Sequence, residues 1–218
     1  MLRKSDWASV GLTAFMLALG VAAFAQVPAG RDVAIHFDGD GVADGWAHPA
    51  IALFLVPVLA AFNVVMQFAL PHIDPRGQNL RRSAQAYGTI WLAVMVVLAL
   101  AQVIIVATAL GVDVAFRGLA LGLVGGFFIV VGNVMGKLRW NTTVGIRTPW
   151  TIADERVWDQ THRFGGKLFV ACGALLVTAL FLPLGRDAQA PLIVVATLVP
   201  VIGATLKSYV AWRQRTAG

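Results

Sequence analysis

Six stretches of the chain are nearly free of charged side chains: roughly residues 7–27, 50–70, 88–110, 117–136, 167–184 and 191–211. Each is close to the ~20 residues that a helix needs to cross the hydrocarbon of a bilayer. The pattern predicts an all-α integral membrane protein with six transmembrane helices. Pro57, Pro183 and Pro200 fall inside spans or near their ends, where membrane helices tolerate them and bend at them.

Composition agrees. Of 218 residues, 58% are hydrophobic and 13% charged, whereas a soluble domain carries about 25% charged residues. A soluble core of this size has no room for so much apolar side chain, so the missing solvent is lipid. The net charge of +6 points to no direct nucleic-acid partner, because the cations sit in short segments between apolar runs. The one cysteine, Cys172, has no disulfide or metal partner and reads as a small apolar packing residue. The basic start followed by an apolar run is like a signal peptide, but the run over 7–27 is long enough to span and reads as an uncleaved first helix.

Lys and Arg set the orientation. Arg3, Lys4, Arg76, Arg81, Arg82, Lys137, Arg139, Arg147, Arg156, Arg163, Lys167, Lys207, Arg213 and Arg215 fall on one side of the alternation. Only Arg31, Arg117 and Arg186 fall on the other. The positive-inside rule then places both termini and the 71–87 and 137–166 segments in the cytoplasm of a bacterial cell, with 28–49, 111–116 and 185–190 outside. In the fourth span, Gly118, Gly122 and Gly126, then Gly132 and Gly136, recur every four residues. That stripe predicts close approach of a neighbouring helix. Asn63, Gln67, Gln102 and Asn133 are expected to bridge helices, and Lys207 to snorkel. No span carries an acidic residue in its middle, which argues against a proton-coupled transporter.

The connecting segments carry the chemistry. Outside, Val33 to Phe37 alternates like a short strand, and the Asp- and Gly-rich run from Asp38 to Gly45 reads as a turn. His36, Asp38, Asp40 and Asp44 lack the ligand spacing of a calcium loop, so no metal is expected. Inside, Gly136-Lys137 is not a phosphate-binding loop, since only three residues separate the glycines and Leu138 stands where Ser or Thr would be needed. Asn141-Thr142-Thr143 matches a glycosylation sequon by chance. Thr151 to Asp154 is similar to a capping box. It predicts a short interfacial helix from about Ile152 to Arg163, on the cytoplasmic side before helix five, with Gly165-Gly166 allowing a bend. His162 with Asp154, Glu155 or Asp159 offers acid–base groups. No nucleophile or metal cluster accompanies them, so no catalytic residue and no cofactor is expected.

In order, Gly132-Asn133, Gly136-Lys137, Gly145-Ile146-Arg147-Thr148-Pro149-Trp150-Thr151, Val157-Trp158, Thr161-His162 and Gly165-Gly166 resemble the signature of the SdpI family of bacterial membrane proteins. The outer segment Ile35-His36-Phe37-Asp38, Gly41 and Asp44-Gly45-Trp46 resembles the DUF1648 domain that often precedes it, with Asp38 where Asn is commoner. The resemblance implies a DUF1648-like region over 1–70 and an SdpI-like region over 71–218. It also implies protection against a secreted, membrane-active peptide toxin, and signalling by holding a small transcriptional repressor at the membrane. The residues it offers for ligand or partner contact are His36, Asp38, Asp44 and Trp46 outside. Inside they are Asn133, Lys137, Asn141, Arg147, Thr148, Pro149, Trp150, Trp158 and His162. The other readings are a small transporter or exporter lined by Asn133 and the Gly-rich helix, and a membrane enzyme using His162.

Overall fold

A computed structural model describes residues 4–28, 30–38, 42–112, 114 and 118–216. Arg3, Arg117 and the Gly39-Asp40-Gly41 turn, all used above, lie outside the described residues. The elements in order are α1 (Lys4–Phe24), β1 (Val33–Phe37), β2 (Ala43–Ala47), α2 (Pro49–Ile73) and α3 (Gly77–Arg82). They continue with α4 (Ala84–Ala109), α5 (Leu119–Met135), α6 (Pro149–Ala153), α7 (Glu155–Ala179) and α8 (Arg186–Thr216).

Every apolar run falls on a helix. Four helices, α1, α2, α4 and α8, are both long and apolar enough to cross a bilayer. α5 is apolar but has 17 residues, and α7 opens with polar turns before its apolar half. Large apolar side chains cover the outside: Val58, Phe62 and Val65 on α2, and Val195, Ile202 and Leu206 on α8, are exposed. Water would disfavour such faces, and lipid accepts them. The chain is a multi-pass membrane protein.

Packing divides it into two compact units, 1–66 with 91–120, and 67–90 with 121–218. The first unit holds α1, the hairpin, the front of α2 and the back of α4. Met16, Val33, Leu53, Ala60, Met95 and Ile105 are among the residues buried in its core. Pro57 lacks an N–H, so the Leu53 carbonyl one turn earlier has no helical donor. The Gln102 side-chain amide donates to it at 3.0 Å. Gly20 lies against the same carbonyl; a Cβ there would stand 2.7 Å from it.

The second unit repeats the device. Pro71 leaves the Gln67 carbonyl open, and the buried Tyr87 hydroxyl donates to it at 2.8 Å. In the same unit α5 and α7 run backbone to backbone at two glycine pairs. A Cβ on Gly125 would lie 2.9 Å from the Gly173 carbonyl oxygen, and one on Gly132 would lie 2.7 Å from that of Gly166. Only hydrogen fits at such contacts.

Three expectations are corrected. The all-α reading omits a small antiparallel hairpin, in which Ala34 pairs with Trp46 and His36 with Gly45; the second strand was hidden inside an Asp/Gly-rich run. The four-residue glycine stripe is only part of the packing face. Gly132 and Gly136 do meet α7, but Gly126 has nothing within 4 Å, and Gly125, outside the stripe, takes its place against Gly173. The interfacial helix over 152–163 with a bend at Gly165-Gly166 is absent. Thr148 instead caps α6 in a capping box with Thr151, and Asp154 caps α7, which runs unbroken through both glycines. Neighbouring groups pack too closely at Gly165 and Gly166 to admit side chains, so these glycines serve approach and not bending.

The carbonyl repair is open to a double-mutant cycle. Tyr87→Phe should destabilise the protein by about 1 kcal/mol in unfolding measurements in detergent. On a Pro71→Ala background, whose restored N–H serves the Gln67 carbonyl, the same change should cost much less. An equal cost in both backgrounds would mean that the hydroxyl does not stand in for the missing donor.

Candidate functional site: an inner bracket and an outer hairpin

Between α5 and α6 the chain runs without regular structure from Gly136 to Thr148. Its buried backbone groups need partners from elsewhere, and side chains supply them. Asn141, fully buried, uses its whole capacity. Its Oδ1 accepts from the N–H groups of Thr143 (2.9 Å) and Val144 (2.7 Å), and its Nδ2 donates to the carbonyls of Arg139 (2.9 Å) and Val144 (3.0 Å). In the folded protein the sequon asparagine is thus a buried structural residue.

Asp74, just past α2, holds the same turn from across the unit. Its Oδ1 accepts from the Arg76 N–H at 2.6 Å, and its Oδ2 accepts from the Thr142 N–H at 3.0 Å and the Thr143 hydroxyl at 2.8 Å. Burial raises the Asp74 pKa, but these donors outweigh it and hold the carboxyl below its ordinary value. Asn79 donates to the Trp140 carbonyl at 2.8 Å, and the Arg76 guanidinium sits 3.6 Å over the Trp140 ring. Trp140 in turn donates to the Thr151 carbonyl at 2.9 Å.

From the other side α7 presents Trp158 and His162, both buried and stacked at 3.8 Å between centroids. Trp158 donates to the Leu138 carbonyl at 2.9 Å. His162 Nε2 accepts the Ile146 N–H at 2.9 Å, which fixes the proton on Nδ1, where it donates to the Trp158 carbonyl at 2.9 Å. Burial in this first part of α7, ahead of its apolar half, pushes the His162 pKa down to about 4, against the raising effect of the Trp158 carbonyl. Both ring nitrogens are engaged, so the imidazole has no lone pair free for a substrate or a metal. Asp154 is likewise occupied, capping α7 and pairing with Arg215 at 2.8 Å. Gly145 is required here: its φ is +131°, and a Cβ would lie 2.4 Å from His162 Nε2.

The bracket therefore gathers Asn141, Thr148, Pro149, Trp158 and His162 as structural members. Thr148 caps α6 with Pro149 at its first turn, and its hydroxyl bonds the Ser208 hydroxyl of α8 at 3.0 Å. Trp150 packs against Tyr209 and Trp212, with ring centroids 5.1 and 6.4 Å away. Arg147 is the one held outward: exposed, it touches the bracket through the Thr142 carbonyl at 3.3 Å. Asn133 and Lys137 are not part of the bracket; they are exposed along a groove between α5 and α7. The sequence reading missed Asp74, Arg76, Asn79 and Ser208, which lie some 60 to 70 residues from their partners.

On the outer hairpin, His36 Nδ1 and Asp44 Oδ1 are 2.5 Å apart, and both side chains are substantially exposed. The Asp38 carboxylate accepts from the Val42 N–H at 2.8 Å. Trp46 is 58% exposed, an unusual place for an indole unless lipid or a partner covers it. Among the described residues no three His, Cys, Asp or Glu side chains group as a metal site.

Residues 137–209 match the SdpI/YfhL protein family, and residues 11–61 match a domain of unknown function, DUF1648. The resemblances read from both loops thus hold. Over 183 residues, 82% of this chain and 83% of the relative, the chain is 27% identical to a protein named "Immunity protein SdpI" from Bacillus subtilis (strain 168). Over 70 residues, 30% of this chain and 63% of the relative, it is 30% identical to a protein named YfhL from the same organism. No solved structure matches the chain. Asp74, Arg76 and Asn79 fall outside both matched segments, although they hold the bracket that the first of them contains.

His162 ties the bracket to pH. Its folded pKa lies below its ordinary 6.5, so the unfolded chain binds the proton first on acidification. The stabilisation is complete above about pH 6.5 and is lost as pH falls toward about 4. Lowering pH from 7 to 5 should remove about 2 kcal/mol from the bracket, read as faster hydrogen exchange at Ile146. A His162→Gln protein should lose this slope; an unchanged slope would assign the pH dependence to another group.

Proposed function

We propose that the chain is a non-enzymatic immunity and sensor protein of a bacterial cytoplasmic membrane. In this reading it crosses six times, through α1, α2, α4, α5, α7 and α8, with both termini in the cytoplasm. The 17 residues of α5 reach about 26 Å, enough for a thin or locally compressed bilayer. Residues 1–70 present the hairpin outside to a secreted, membrane-active peptide. Residues 71–218 present the bracket inside to a cytoplasmic partner, a small transcriptional repressor.

The observation that carries this reading is the bracket itself. Its backbone is bonded from three directions by Asp74, Asn141 and His162, and it leaves Arg147 exposed on a rigid support. Rigid presentation of one guanidinium suits recognition of an acidic group on a partner. The same residues give no pairing of nucleophile and base, because His162 spends both nitrogens on backbone groups. The likeness to a protein named for immunity, across most of both chains, supplies the kind of partner. The exposed His36–Asp44 pair and Trp46 suit a peptide arriving at the outer surface, with an aromatic ring and a charge pair to receive it.

Survival of a sensitive bacterium exposed to the secreted killing peptide tests the reading. The wild-type chain should protect. Arg147→Ala and His36→Ala proteins, at equal membrane levels, should each lower protection about tenfold, the loss expected for one charged contact. No protection by the wild type would overturn the immunity reading, and full protection by Arg147→Ala would remove Arg147 from it. Orientation is tested separately. Fluorescent-protein fusions after residues 83 and 216 should glow and an alkaline phosphatase fusion after residue 185 should be active. The reverse pattern would invert the proposed topology.

A further inference from the structure

Beside the close glycine contacts of α5 and α7 lies an open-sided groove of about 530 Å³, within the range of about 300–1,000 Å³ typical of small-ligand sites. Its two ends differ in chemistry. At the end next to the bracket stand Lys137, Arg163 and Lys167, with Asn133 beside them. Toward the middle of the helices the lining is Val170, Ala171 and Ala174. No acidic residue lines it. Among the described residues, these three cations and the Asn133 amide have no ion pair or side-chain hydrogen bond, and all four side chains are exposed. Neighbouring cations repel one another, so the cluster favours an anion placed among them.

We propose that this groove binds one anionic glycerophospholipid, taken from the leaflet on the side of the 137–166 segment. The phosphate sits among Lys137, Arg163 and Lys167, with the Asn133 amide as a further donor. One acyl chain lies along the small-residue floor. Length supports this occupant: from Arg163 to Ala174, α7 rises about 16 Å, which is about one leaflet of a ~30 Å hydrocarbon core. The floor supports it too. The glycines let the two helix backbones meet, and Ala171 and Ala174 leave the space above the contact unfilled, where a larger side chain would close it. A soluble anion would use the cations and leave the apolar half empty. Basic pockets between membrane helices on the cytoplasmic side are a recurrent setting for acidic headgroups. The site is independent of the immunity reading and stands or fails without it.

The test is native mass spectrometry of the purified full chain, titrated in detergent with phosphatidylglycerol or phosphatidylcholine. Wild type should hold one phosphatidylglycerol about 100-fold more tightly than phosphatidylcholine, from about fivefold per cation. The triple variant Lys137→Gln, Arg163→Gln, Lys167→Gln should bind both lipids alike, while Lys207→Gln, a change at a cation outside the groove, should keep the preference. Ala171→Phe fills the apolar half without touching a charge and should weaken phosphatidylglycerol binding at least several-fold. Equal retention of the two lipids by wild type, or a preference that survives the triple variant, would overturn the proposal. So would displacement of the lipid by glycerol phosphate at matched concentration, which would assign the cations to a soluble anion, and unchanged binding by Ala171→Phe, which would leave only a surface charge patch.

Discussion

Inside a bilayer a backbone carbonyl without a helical donor needs one from a neighbouring side chain, and that constraint organises this chain. Pro57 and Pro71 each strip a donor from α2, and the protein answers with side chains from α4: the Gln102 amide for Leu53 and the Tyr87 hydroxyl for Gln67. Each repair ties α4 to α2 at one register, because a one-residue shift would leave the carbonyl bare again. Each of the two compact units contains one such tie, so within each unit the prolines act as fasteners between helices and not as breaks.

The same economy of donors governs the inner bracket. A segment without regular structure is held in place when side chains, its own or a neighbour's, satisfy its backbone. Asp74, Asn79, Asn141, Trp158 and His162 do so. The cost is that these side chains are consumed. His162 stays neutral because both nitrogens already have partners and burial opposes a charge. Other polar side chains stay at the surface: Arg147 on the bracket, and the exposed His36, Asp44 and Trp46 on the hairpin.

Glycine gives α5 and α7 their contact, and the contact gives the second unit its surface. Where Gly125 meets Gly173 and Gly132 meets Gly166, backbone lies on backbone. Side chains on either edge then stand clear of each other, which leaves a groove on the side carrying Lys137, Arg163 and Lys167. On the other side Phe128, Cys172 and Leu176 fill the core. The lone cysteine is a packing residue in that core.

Hydrophobic runs, their lengths and the alternation of Lys and Arg were readable along the chain, because membrane partition acts residue by residue and is a local property. The family motif was readable too, as an ordered string around Arg147 and His162. What adjacency could not reveal was that Gly125 joins Gly132 at the contact while Gly126 stands free of it, since only the position of α7 selects among them. Nor could it reveal that Gly165-Gly166 lies inside an unbroken helix, because a neighbour's proximity, not backbone freedom, is what requires glycine there. Asp74 was missed for the same reason: its partners are Thr142 and Thr143, and a hydrogen bond across some 70 residues of chain exists only once the helices between have packed. The sequence by itself determined where the chain meets lipid; tertiary structure decided which polar groups are spent on holding the backbone and which remain free to act.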